Sequence, residues 1–323
     1  MAATIQDVAK VSGVGVGTVS RVLNGGTNVS KETSEKVLNA IKELNYIPNS
    51  LGVKLRTNQN KVFALLIPVI NHTFFAELTA YVEQEAQKYG YSILLVCSQN
   101  HVERETAIID KLNRNEVDGV IFVTHYNHSV EELQNKNIVT IDRHLPGDIP
   151  YVSSDNYDSS RKAVEYLIEK GCKNIAYLGS KPYVDSEVLL REKAYLDVMK
   201  ENGMEPKLHS VVLNHGEERM KVNEFVEKYP NIDGIFVSGA SMSLSLYSKL
   251  IEMGKKIPEE LQIISYDGFF GGFKESNVIT CVEQPIEEMA KKCIKILIDL
   301  INKKKPNSAN IIKSKFIVNK TTK

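Results

Sequence analysis

The sequence predicts an all-helical head followed by an α/β core made of two doubly wound halves, and three observations carry that expectation. Up to Lys61, apolar residues recur at helical spacing and no alternating strand pattern appears. Beyond it, the short apolar runs Val62–Ile70, Ile93–Cys97, Val120–Val123 and Ile138–Ile141 alternate with amphipathic stretches, the pattern of βαβ units around a parallel sheet. Finally, Glu116-Val117-Asp118-Gly119-Val120-Ile121-Phe122-Val123 recurs 115 residues later as Asn231-Ile232-Asp233-Gly234-Ile235-Phe236-Val237. Two halves built on one plan create a cleft. Loops after Ile70, Ile141, Gly179, Val237 and Tyr266 are expected to converge on it, because ligands of open α/β sheets sit beyond the carboxyl ends of the strands.

The head is read from its local signals. Thr4 is placed to cap a first helix over Thr4–Val11, with Asp7 at the third helical position where a carboxylate suits the helix dipole. Ser12-Gly13-Val14 breaks that helix, and Val16–Leu23 resumes the spacing with Val19, Val22 and Leu23 inward and Val16, Gly17, Ser20 and Arg21 outward. A helix, a tight glycine-bearing turn and a second short helix describe a helix-turn-helix, whose second helix enters the DNA major groove. Arg21 can fork onto guanine O6 and N7. From geometry alone a protein-binding three-helix module remains the alternative. Ser30 and Glu32 open a third helix whose Val37, Leu38, Ile41 and Leu44 close the small core, and Asn45-Tyr46-Ile47-Pro48-Asn49 stops it.

Composition bounds the function. The chain has 323 residues with 40 Lys+Arg against 40 Asp+Glu, so net charge alone points to neither nucleic acid nor membrane. The first 60 residues nevertheless hold seven Lys/Arg against four Asp/Glu, which makes the head basic and the remainder acidic. A hydrophobic share of 42% supports a packed core and excludes a disordered chain. No apolar run approaches the roughly 18 residues of a membrane span, and Met1–Lys10 lacks the features of a signal peptide, so a cytoplasmic protein is expected. Cys97, Cys172, Cys281 and Cys293 are scattered and are read as buried thiols.

Asp7-Val8-Ala9-Lys10, Gly17-Thr18-Val19-Ser20-Arg21-Val22-Leu23-Asn24 and Leu44-Asn45-Tyr46-Ile47-Pro48-Asn49, in this order and spacing, resemble the LacI/GalR family of bacterial transcription regulators. The resemblance covers nearly the whole chain. It implies an all-α helix-turn-helix head plus hinge, followed by an α/β periplasmic-binding-protein-like core of two Rossmann-like halves. The boundaries expected are 1–47 for the head, 48–60 for the hinge and 61–323 for the core. Within the core, about 61–155 and 267–283 would form the first half, and 156–266 and 284–323 the second.

By the family's pattern, Val16 and Gly17 occupy the variable base-reading positions with Arg21. Thr18, Ser20, Asn24, Asn28, Val29 and Tyr46 hold phosphates or position the head, and Thr4 caps its first helix. Gly15 stands where the family usually has Ser as helix cap, a replacement that loses the side-chain bond. The segment Pro48-Asn49-Ser50-Leu51-Gly52-Val53-Lys54-Leu55-Arg56 matches the hinge, in which Leu55 would wedge into the minor groove, with Asn49, Ser50 and Lys54 beside it. Gly52, where the family prefers Ala, lowers helix propensity by about 1 kcal/mol, so this hinge should order only on DNA.

For the cleft, the resemblance draws attention to Phe74 and Phe75, either of which can stack on a sugar or purine face. Asp142 and Arg143, at a strand end, suit a polyhydroxylated ligand or a phosphate. Arg191 matches an effector-clamping arginine, and Asp267 an acidic effector residue. Two departures concern Gly239-Ala240, where an Asn-Asp pair is common, and Gly216-Glu217-Glu218, which lacks an aromatic lid. Cys97-Ser98-Gln99-Asn100 and Ile149–Asn156 look most like the sucrose-operon repressor type.

An enzyme is not expected. No Walker loop or dinucleotide fingerprint follows a strand, Ser238-Gly239-Ala240-Ser241 is not a nucleophile elbow, and His125-x-x-His128 lacks a third metal ligand at a suitable spacing. No cofactor and no metal are expected. The partners implied are a pseudo-palindromic operator, a sugar or sugar phosphate effector, and a second copy in a homodimer. Alternatives within the same fold are a sugar sensor without operator binding and a regulator controlled by a phosphocarrier protein.

Overall fold

The computed structural model describes residues 3–23, 29–46, 59–99, 101–124, 126–182, 184–212, 216–268 and 278–323. The chain divides into two compact units, Met1–Gln59 and Asn60–Lys323.

In the first unit, α1 (Ile5–Ser12), α2 (Val16–Leu23) and α3 (Lys31–Glu43) surround a small core of Val8, Val19, Val37, Ala40 and Tyr46. Thr4 caps α1 as its position predicts: its hydroxyl accepts from Asp7 N at 3.3 Å while the Asp7 carboxylate accepts from Thr4 N at 2.9 Å. Gly13 ends α1 in the left-handed region at φ 68°, which a β-carbon would disfavour. The Gly15 carbonyl accepts the first bonds of α2, from Thr18 N and Val19 N. Ser30 caps α3. Leu38 is corrected: it is exposed, because this core takes only the stripe of α3 that carries Val37, Ala40, Ile41 and Leu44.

The second unit holds two six-stranded sheets. The first lobe is built from β1 (Val62–Ile67), α4 (Thr73–Lys88), β2 (Ser92–Cys97), α5 (Val102–Asn113), β3 (Gly119–Phe122), α6 (Val130–Leu133), β4 (Ile138–Ile141) and β5 (Tyr151–Ser154). The second contains α7 (Asn156–Glu169), β6 (Ile175–Ser180), α8 (Leu189–Glu201), β7 (Lys207–Val211), α9 (Glu218–Lys228), β8 (Gly234–Val237), α10 (Ala240–Glu252), β9 (Gln262–Tyr266) and β10 (Thr280–Glu283). The last elements are α11 (Ile286–Ile301), β11 (Ala309–Ile312) and β12 (Lys315–Ile317). The sheet orders, β11-β5-β4-β3-β1-β2 and β12-β10-β9-β8-β6-β7, repeat one pattern, parallel except for β12.

Alternation along each strand feeds two cores per lobe. On β1, Phe63, Leu65 and Ile67 face α4 and α11, whereas Ala64 and Leu66 face α5. In the second lobe, Tyr177 and Phe236 pack against α7 and α8, and Leu178 and Val237 against α9 and α10.

The repeated Asp-Gly pair has one structural job in both lobes. The Asp118 carboxylate accepts from Asn60 N (2.9 Å) and Lys61 N (2.6 Å) and so anchors the start of β1. Asp233 accepts from Lys173 N (2.8 Å) and Asn174 N (2.7 Å) at the start of β6. The following glycines are required by close approach: a β-carbon on Gly119 would lie 3.0 Å from Leu297, and one on Gly234 3.0 Å from Cys172.

The expected assignment of the C-terminal third is corrected. Residues 280–283 form β10 beside β9 in the second sheet, whereas α11 and β11 belong to the first lobe. The reason is burial: α4 alone leaves its face of the first sheet partly uncovered, and the stripe Ile286, Met289, Cys293, Ile294 and Leu297 of α11 fills it. The apolar stretch Ile311–Val318 is shared between two strands, β11 and β12, one in each sheet. The chain thus passes between lobes three times, at 154–156, 283–286 and 312–315. The expectation of four buried thiols is corrected at Cys97, which is half-buried because β2 is an edge strand; the other three are buried.

Candidate functional site

The head presents α2 to solvent. Val16, Gly17 and Arg21 are exposed and Thr18 and Ser20 half-buried, while Val19 is packed inward. Val29 is half-buried, and Tyr46 is packed in the core, so of the two roles the resemblance implies for it, burial serves positioning. Asn24, Asn28, Asn49, Ser50, Lys54 and Leu55 lie outside the described residues.

In the core, a cleft of about 280 Å³ opens at the carboxyl ends of strands from both lobes, and Phe74, Phe75, Asp142, Arg143, Arg191 and Asp267 all line it. The loops that follow β1, β4, β6, β8 and β9 supply much of its wall, as the strand ends predict. The two aromatics differ. Phe74 is packed into the core under α4, whereas Phe75 is half-buried and stacks edge-on against Phe74 at 5.4 Å, with His72 at 5.0 Å on its other contact.

Asp142 follows β4 with φ 57°, and its carboxylate accepts from Ser153 Oγ at 2.6 Å. Burial pushes its pKa upward, against the Arg191 charge and the Ser153 hydroxyl, which lower it; the facing Asp267 carboxylate adds to the rise. Asp267 follows β9 with φ 70°, is 5% exposed, and accepts from Gln284 Nε2 at 2.6 Å. Arg191, on α8 and 4% exposed, donates from Nε to Asn156 Oδ1 (2.7 Å) and from Nη1 to the Ser238 carbonyl (2.9 Å). Its guanidinium lies 3.6 Å over the Tyr266 ring. Held on three sides, it offers its remaining edge to the cleft.

Arg143 is buried, and its Nη2 donates to the Tyr126 carbonyl (3.3 Å) and Asn127 Oδ1 (3.0 Å). Its Nε and Nη1 have no hydrogen-bond partner among the described residues. A buried donor left unpaired costs about 1–3 kcal/mol, so these two favour an acceptor arriving in the cleft. Three basic side chains, Arg143, Arg191 and Lys181, and three acidic ones, Asp142, Asp267 and Glu218, in one cleft suit a ligand with many hydroxyls and no large net charge.

Sequence reasoning missed Gln284, Ser153, Asn156 and Ser238, which hold the charged groups in place. The signal available was weak: each lies at or next to a strand end or a lobe crossing, but none is a titratable residue. Gly239, where family members often carry Asn, caps α10 without a side-chain bond and leaves Ser241 and Met242 on the cleft wall. Glu218 lines the cleft beside the Gly216 turn. His128, read as a weak metal candidate, is engaged by Glu105, and no group of three metal-ligating residues occurs among the described residues. No helix among them is long and apolar enough to cross a membrane.

A three-helix head with an exposed second helix, joined in one chain to a two-lobed core with a polar cleft, is the architecture of a DNA-binding regulator with a small-ligand site. Residues 4–49 match the model of bacterial regulatory proteins of the lacI family, and residues 164–322 that of the periplasmic binding protein-like domain. A ribose operon repressor of Halalkalibacterium halodurans is 38% identical over 99% of this chain and 97% of its own length. A sucrose operon repressor of Streptococcus mutans is 33% identical over 94% of each chain. The Lac repressor dimer bound to operator and the anti-inducer ONPF shares the fold, with a TM-score of 0.86 at 20% identity over 100% of this chain and 99% of that one. The chain belongs to the LacI family of bacterial transcription regulators. The relatives are named as repressors, not as enzymes.

Proposed function

We propose that this protein is a cytoplasmic homodimeric repressor of a carbohydrate-utilisation operon, released from its operator by a small sugar bound in the core cleft. The observation that carries the reading is the convergence of Phe74, Phe75, Asp142, Arg143, Arg191 and Asp267 on one cleft shared by both lobes. Two carboxylates that accept and two guanidinium groups that donate match the alternating hydroxyls of a sugar ring, and the Phe75 face suits its apolar side. A volume near 280 Å³ accommodates a monosaccharide. The names of the relatives, ribose and sucrose operon repressors, point to the same ligand class. Val16, Gly17 and Arg21 would read bases in the major groove, and one head per half-site requires a dimer on a pseudo-palindrome. Closing the cleft would couple ligand to DNA through the hinge, each weakening the binding of the other by the same factor.

The test is fluorescence anisotropy of the full chain on a labelled fragment of its own promoter, at fixed salt, with D-ribose, sucrose and their phosphates added in turn. Selective binding weakened by one of these sugars is expected. Binding without sequence selectivity would overturn the repressor reading, and selective binding indifferent to every sugar would overturn the effector reading.

A further inference from the structure

Behind the cleft wall of the first lobe lies a polar cluster centred on Glu105, which does not itself line the cleft. Glu105, on α5, is fully buried at 0% exposure, among the apolar residues that α5 packs on the sheet. A carboxylate there is tolerated only when hydrogen-bonded. Thr124 Oγ1 donates to Glu105 Oε2 at 2.5 Å, and His128 Nε2 stands 2.7 Å from the same oxygen. The His128 ring also tilts against Phe122 and brings Nδ1 to 3.5 Å from Glu132. One carboxylate oxygen therefore ties down Thr124 and His128, which flank Tyr126 and Asn127 in the chain.

That bracketed stretch is what grips Arg143. Tyr126 N donates to Thr124 Oγ1 at 3.0 Å, and the Tyr126 carbonyl and Asn127 Oδ1 then take both bonds of Arg143 Nη2. Burial lowers the pKa of Arg143, while the charges of Asp185 and Glu105 oppose that shift. The Nε and Nη1 groups of the guanidinium, which stand on different edges, are without a partner among the described residues, and Arg143 lines the cleft with Thr124.

We propose that Glu105 is a positioning residue for effector binding: through Thr124 and His128 it fixes Tyr126 and Asn127, and so holds the Arg143 guanidinium where its unpartnered N–H groups can meet a sugar hydroxyl. This rests on the sugar-effector reading above. It assigns Glu105 a role in ligand affinity although it never contacts the ligand. A carboxylate is needed, since a neutral amide oxygen accepts a weaker bond.

The experiment uses the full chain, labelled operator and D-ribose. In Glu105→Gln, operator affinity is expected to stay within about twofold, while the ribose needed for half-release rises about tenfold. In an Arg143→Ala background the same substitution should change nothing further, because its route to the ligand is gone. An unchanged ribose response in Glu105→Gln, or a loss that adds in full to that of Arg143→Ala, would overturn the proposal in favour of a purely structural carboxylate. Should Glu105→Gln not fold, His128→Gln provides the same comparison. Should wild type respond to no sugar, the effector reading fails on its own, and the proposal is decided by NMR without ligand. There the Arg143 Nε–H resonance, assigned by its loss in Arg143→Lys, must shift and exchange faster with water in Glu105→Gln; an unmoved resonance overturns it.

Discussion

Asp142 and Asp267 are the same residue twice. Each follows the fourth strand of its lobe, each has a left-handed backbone, and each is bonded to the next strand, Asp142 N to the Val152 carbonyl (3.0 Å) and Asp267 N to that of Val282 (2.9 Å). Each carboxylate is then held by a side chain from just beyond or within that next strand, Gln284 for Asp267 and Ser153 for Asp142. A non-glycine residue in this region costs about 1–2 kcal/mol, and such strain gathers at functional sites. The cleft is thereby lined by facing acceptors of matched geometry, one from each lobe.

The ionised form of Asp142 is disfavoured by burial and by Asp267, and that has a sign. A carboxyl whose folded pKa is raised binds a proton in the folded state that the unfolded chain has released, so stability falls as pH rises from the unfolded pKa through the folded one. Asp142→Asn is expected to raise the Tm of the ligand-free protein at neutral pH, and to weaken sugar binding about tenfold or more through the lost charged acceptor. Calorimetry on the ligand-free and titrated variant checks both.

Arg191→Lys should be a poor replacement. Lysine keeps the charge but loses the planar fork that bonds Asn156 and Ser238 and stacks on Tyr266. We expect a loss of sugar affinity of about 10- to 100-fold with operator affinity intact, measured by sugar titration of the operator complex.

Phe74 and Phe75 are neighbours with separable roles. Phe74→Ala empties a packed site and should cost about 3–5 kcal/mol in urea unfolding. Phe75→Ala should cost markedly less stability and instead weaken sugar binding, so that the ratio of the two effects reverses between the variants.

On the reading helix, Arg21→Ala should weaken the preferred operator by about 1–3 kcal/mol and flatten the preference at one base pair. Exchanging Val16 for Thr should redirect preference without changing helix content, since that side chain is exposed. Binding to a library of single-base operator variants at constant salt separates the two outcomes.

The Thr4–Asp7 capping box makes the head acid-sensitive. The side-chain bond from Thr4, and then its backbone bond, hold the Asp7 carboxyl below its ordinary value. Its contribution is therefore present above the unfolded aspartate pKa of about 4 and is lost as the pH falls through the folded one. Thr4→Ala should destabilise α1 by about 1 kcal/mol at neutral pH and narrow its difference from wild type in acid, read by hydrogen exchange of the α1 amides.

What the sequence shows well is whatever neighbours in the chain decide. The caps at Thr4 and Ser30, the break at Gly13 and the strand Ile138–Ile141 all follow from residues within one turn or one strand. What it conceals is settled by distant partners. Whether Ile311–Val318 is one strand or two depends on which sheet has a free edge, and the lobe that claims α11 depends on which face lacks cover. Leu38 failed for a related reason, since the size of the three-helix core, not the apolarity of a side chain, decides which stripe is buried. Asp142, Arg143 and Asp267 stood out because they are charged and end strands, whereas Arg191, on α8, stood out only through the family resemblance. Their neutral holders, Gln284 and Ser153 above all, look in the sequence like any other polar residues, and only their neighbours in space give them a role.

The late position of α11, β11 and β12 sets an order of assembly. During synthesis the reading head can fold as soon as its own residues are out, but the first lobe waits for residues beyond 300, long after its fifth strand has emerged, and the second waits for β12. A nascent chain therefore carries a finished DNA-reading module for most of its synthesis while neither half of its sensor exists. Any shortened product that stops before α11 would keep the three-helix head and lack a complete lobe on either side of the cleft.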